Sequence, residues 1–164
     1  MSSSLSFPKI STKNLLGELI ELPQGFEGEW NIVLVAFRRN HQELVDSWVS
    51  WLEDLSGVRP EILFYEIPAL RQLWTPVRPF IDGGMASAIR DPKILGRTLT
   101  FYGSLKNVTQ PLEIKDQKTI ALFLVNQSGR VLWKGSGAYS LESADELRKV
   151  LNTATSSHKK EEKE

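Results

Sequence analysis

The chain has 164 residues, 41% of them hydrophobic and 24% charged, which suits one compact core and argues against a wholly disordered, collagenous or coiled-coil protein. Twenty basic residues balance twenty acidic ones, so no global field draws the chain to nucleic acid or anionic lipid, and nucleic acid is not expected as a partner. There is no cysteine, which removes disulfides, thiolate metal sites and thiol nucleophiles from the chemistry open to this chain.

Residues 1–13 are rich in Ser and lack an apolar run of signal-peptide length, so we expect a flexible N-terminus and a cytoplasmic protein. Lys9, Ser11, Thr12 and Lys13 fit an organelle presequence poorly, because Glu18 and Glu21 follow at once. No apolar stretch is longer than Ile32 to Phe37, which falls far short of the ~20 residues of a membrane helix, so no integral membrane segment is expected. Leu16 to Leu22 reads as a strand ending in the turn residues Pro23, Gly25 and Gly28, and Asn31 to Phe37 as a buried central strand.

A helix follows, with Asn40 as its cap, Glu43 at the capping-box position, Leu44, Trp48, Trp51, Leu52 and Leu55 on one face, and Gly57 as its closing glycine. Glu61 to Ile67, between Pro60 and Pro68, reads as the next strand. Strand, helix, strand with both strands apolar implies a parallel pair. Beyond it we expect a helix over Pro79 to Ile89, a short strand over Thr98 to Tyr102, and a helical stub capped by Ser104 and broken by Pro111.

Thr119 to Val125 and Val131 to Lys134 then form a hairpin, with Gly129 supplying a left-handed residue in the connection. A last helix carries Leu147, Val150 and Leu151 behind a capping box of Ser143 and Glu146. Residues 153–164 are expected to be a charged, disordered tail, leaving 14–152 as the domain.

This order of elements, with the opening Leu15 to Phe37, resembles the thioredoxin-like superfamily and its peroxiredoxin-type members. The resemblance implies a three-layer α/β sandwich with a central mixed sheet, an N-terminal hairpin extension and an inserted strand and helix before the C-terminal hairpin. Phe80 to Met85, Thr98 to Gly103 and Val131 to Gly137 are most similar to the thioredoxin-like domain of the mitochondrial ATP synthase assembly factor family, which implies protein binding rather than redox chemistry. Two departures stand out. The turn that carries the reactive cysteine in redox-active relatives reads Arg38-Arg39-Asn40-His41 here, and the position of their cis proline falls in Asp116-Gln117-Lys118-Thr119.

Arg38, Arg39, Asn40 and His41 are candidate ligands for an anion or a partner, since two guanidinium groups, an imidazole and helix N-terminal amides can face one oxyanion. Against this stands a plainer account that we weight more heavily: solvated arginines and a capping Asn. Arg71, Trp74 and Arg78 are candidates for a partner surface, because Trp beside Arg is enriched at interface hot spots. A Trp covering a sheet edge explains them as well. Asp82-Gly83-Gly84 lacks the frame of a phosphate loop.

With only His41 and His158 as histidines, no metal site, catalytic residue or cofactor is expected. The reading is a non-redox, thioredoxin-like binding module, an assembly or chaperone-like factor with a protein partner. The alternative is a small-molecule or anion-binding protein, including a non-thiol enzyme, that uses the Arg38 to His41 turn.

Overall fold

The computed structural model describes residues 5–69 and 96–163. A four-stranded mixed sheet has the order β4-β3-β6-β7, built from β3 (Trp30–Ala36), β4 (Ile62–Pro68), β6 (Ala121–Asn126) and β7 (Val131–Ser136). β3 and β4 run parallel, with Trp30 opposite Ile62, and the β3/β6 and β6/β7 pairs are antiparallel. A second sheet has the order β2-β1-β5, from β1 (Ile10–Asn14), β2 (Leu19–Leu22) and β5 (Leu99–Thr100).

Every residue of β3 is buried, as expected for a strand covered on both faces. Its alternation sorts the molecule into two cores. Ile32 and Leu34 face Val45, Trp48 and Leu52 of α1 (Gln42–Val58) and Leu147 and Leu151 of α3 (Leu141–Lys163). Val33 and Val35 face the opposite side, where Phe7, Leu22, Phe26, Leu99 and Leu112 pack, together with Val108 of the one-turn helix α2 (Lys106–Thr109). Helices, central sheet and the N-terminal sheet therefore make three layers, the expected α/β architecture. The Trp48 indole N–H donates to the Gly137 carbonyl at 2.9 Å, tying α1 to the loop that leads into α3.

The expected segment Thr98 to Tyr102 has a double attachment. Its central residues pair antiparallel with β1, while Thr98 lies parallel beside Glu66 and Phe101 beside Ala69. It thus covers the C-terminal end of β4's outer edge and joins the two sheets. The hairpin loop forms as read from sequence, with Gly129 at φ +91°.

Several expectations are corrected. The N-terminus is not a loose segment up to residue 13: Ile10–Asn14 is strand, Phe7 is buried, and Phe7 N–H donates to the Gly129 carbonyl at 2.8 Å. β1 escaped notice because it turns polar residues inward, and these are satisfied locally. The Thr12 hydroxyl donates to the Ile20 carbonyl, and Asn14 Oδ1 accepts the Leu16 and Glu18 amides.

The chain enters α1 through a 3-10 turn over Arg39–His41, so His41 and not Asn40 is the N-cap, and no side chain caps the helix there. Gly57 lies within the last turn of α1, which runs on to Val58. Leu105 and not Ser104 stands at the N-cap of α2, again with no side-chain bond. α3 begins before the Ser143 and Glu146 box: the Ser140 hydroxyl accepts the Ser143 N–H at 3.1 Å, and Glu146 instead accepts the Trp133 indole N–H. The backbone is helical to Lys163, where a disordered tail was expected. The expected helix over Pro79 to Ile89 lies outside the described residues. Among those described, no helix is long and apolar enough to cross a membrane.

Candidate functional site

The turn after β3 leads into α1. Phe37, the residue after the strand, is buried, and the chain then folds back so that His41 N–H donates to the Arg38 carbonyl at 3.1 Å. This carries the imidazole inward, to 1% exposure, while Arg38 and Asn40 remain exposed. Nδ1 of His41 accepts the Phe37 backbone N–H at 3.0 Å, which fixes the neutral ring with its proton on Nε2. The rings of Phe37 and His41 meet edge-on at 6.4 Å.

Nε2 has no partner with hydrogen-bond geometry among the described residues. Burial lowers the pKa of His41; the Lys118 backbone opposes the shift, the Arg38 charge adds to it, and the Asp116 charge opposes it. The two stretches in which the sequence departs from redox-active thioredoxins therefore meet: the Arg38 to His41 turn and the loop before β6.

The turn is thus split. Arg38 and Asn40 face water and His41 faces the core, so Arg38, Asn40 and His41 do not converge on one point. The histidine is spent on the protein's own backbone. Of Arg39, only the backbone in the 3-10 turn is described. Arg71, Trp74 and Arg78 lie outside the described residues.

A second place was not foreseen. Between α1 and the β4 edge lies a cleft of about 250 Å³, walled by Leu34, Val45, Val49, Leu52 and Phe64. On β4, Ile62 and Phe64 face α1, and the alternation of the strand puts Glu66 on that same apolar face. Desolvation pushes its carboxyl from the ordinary 4.5 up to about 7, with the Asp46 carboxylate adding to the rise. A carboxyl poised near neutrality can take up or release a proton under ordinary conditions.

Asp46, Glu53 and Arg97 complete the charged part of the wall. The Arg97 guanidinium lies over the Phe64 ring, 4.1 Å from its centre, and Asp46 accepts a hydrogen bond from Gln42 at 2.9 Å. Glu66 was legible in principle, as the one charged residue in a strand that is apolar on both faces. Among the described residues, no group of three or more His, Asp or Glu side chains is placed to hold a metal ion.

The mixed four-stranded sheet with its packed helices is a thioredoxin-like fold, and solved structures share it. Yeast Sco1 with copper bound superposes with a TM-score of 0.61 at 17% identity, over 95% of this chain and 96% of that one. BsSco, a member of the Sco family of cytochrome c oxidase assembly proteins, gives 0.57 at 14% identity, over 94% and 98%. The thioredoxin domain of a thiol-disulfide oxidoreductase from Bacteroides vulgatus gives 0.55 at 17%, over 82% and 88%. At these identities the likeness defines the fold. No protein-family model matches the chain, and no curated protein does.

Proposed function

We propose that the chain is a thioredoxin-like module that acts by binding a protein partner, as an assembly or chaperone-like factor, and not by thiol exchange. The observation that carries this reading is the fate of the turn after β3. Where redox-active relatives present a cysteine, this chain has no thiol to present and turns His41 inward onto the Phe37 amide. The position has become part of the packing.

The sequence resemblance to the ATP synthase assembly factor domain supports the assembly reading, as does the similarity of fold to BsSco. A cytoplasmic location is part of the same proposal. The contact surface we propose joins the exposed Arg38 and Asn40 with Arg39 and the segment holding Arg71, Trp74 and Arg78. The inward His41 counts against the alternative of an anion site that uses all four residues of the turn. Affinity capture from the native source, comparing wild type with Arg39→Ala and Trp74→Ala, tests the proposal. Lost recovery of a partner in both variants is expected, and unchanged recovery overturns the surface.

A further inference from the structure

We propose that the cleft between α1 and the β4 edge binds an organic cation, an ammonium or guanidinium group carried on an apolar stem. The charges decide the sign. Asp46 and Glu53 from α1 and Glu66 from β4 set three carboxylates against the single guanidinium of Arg97 among the described wall residues. An anionic ligand would enter against that excess. Glu66 is the inner member, and among the described residues it has no ion pair or hydrogen bond to offset the loss of water around its carboxyl. An entering cation supplies that partner, and a buried carboxylate gains most from a charge-assisted bond.

The walls decide the rest. Leu34, Val49, Leu52 and Phe64 offer a bare alkyl or aryl stem an apolar lining. At about 250 Å³ the cleft falls below the roughly 300–1,000 Å³ of pockets that hold whole drug-sized molecules. It suits one group the size of a side chain. Such a group can belong to a free amine or to a lysine or arginine of a bound protein, and the chemistry of recognition is shared. This site is independent of the turn at Arg38 to His41.

Binding carries a proton signature. Glu66 is held near pH 7 by desolvation and by Asp46, with Glu53 and Arg97 the other charges in the cleft wall, so a cation that needs the ionised form displaces the proton. Affinity should rise about tenfold between pH 6 and pH 8.

The test is titration of the ¹⁵N-labelled protein with benzylamine, benzyl alcohol, benzoate and the peptide acetyl-Leu-Lys-Leu-amide. Benzylamine should shift the amide signals of residues 45–52 and 64–67, more at pH 8 than at pH 6, and benzoate should not. Glu66→Gln should weaken it about tenfold. Asp46→Asn, on the exposed rim where folding is not at stake, should weaken it less. A peptide that binds tenfold tighter than benzylamine assigns the cation to a protein partner, and the reverse assigns it to a free amine. Equal binding of benzoate and benzylamine, a benzylamine affinity untouched by either variant, or no shifts up to about 10 mM overturns the proposal.

Discussion

The Phe37 backbone N–H and the His41 imidazole form one buried hydrogen bond, 3.0 Å long, at the junction of the central strand and the first helix. Replacing His41 with Ala leaves a buried amide without an acceptor and opens a void beside the Phe37 ring. A loss of about 2–4 kcal/mol is expected in urea unfolding at pH 7.5.

The same bond makes stability depend on acid. Burial holds the His41 pKa below the ordinary 6.5, so the unfolded chain binds its proton first as pH falls. The contribution is complete above pH 6.5 and is lost as pH drops through the folded value. Unfolding midpoints of wild type should therefore fall from pH 7 to pH 5 more steeply than those of His41→Ala.

Glu66 works in the opposite direction. With its folded pKa raised to about 7, the folded protein holds a proton that the unfolded chain releases above about 4.5, so this group costs stability as pH rises between those values. Glu66→Gln should match wild type near pH 4.5 and exceed it by about 1–3 kcal/mol at pH 8, the full shift being reduced for a side chain that water partly reaches. Urea midpoints of the two proteins across that range check this.

The start of α3 separates two capping assignments. Ser140→Ala should cost about 1 kcal/mol, because the hydroxyl that accepts the Ser143 amide is removed. Ser143→Ala should stay within about 0.5 kcal/mol. Thermal melts of the two variants suffice.

Gly129 sits at φ +91°, and a Cβ there would lie 2.9 Å from the Pro23 ring. Gly129→Ala should cost at least about 1–2 kcal/mol, read as a lowered denaturation midpoint.

Apolar periodicity explains which parts of this molecule were legible from sequence. β3, β4, α1 and the β6/β7 hairpin carry their burial in Val, Ile, Leu and Trp, so spacing alone finds them. β1 buries Thr12 and Asn14, and only the hydrogen bonds supplied by β2 and its turn make that tolerable. No pattern of hydrophobicity announces such a strand. At the Arg38 to His41 turn the residue types were right for a polar site, but the inward rotation of His41 depends on an amide that only the folded chain presents. Glu66 escaped for the converse reason. Its neighbours describe an apolar strand face, and the cleft that gives its carboxyl a role is formed by a helix that begins twenty-four residues earlier in the chain.

The strand segment around Leu99 is held by β1 on one side and, through Thr98 and Phe101, by β4 on the other. It acts as a strut between the N-terminal hairpin and the central sheet. Leu16 and Leu19, at the exposed tip of that hairpin, are thereby fastened through two strands to the edge that holds Glu66. A molecule gripping the tip would load that edge through those paired strands.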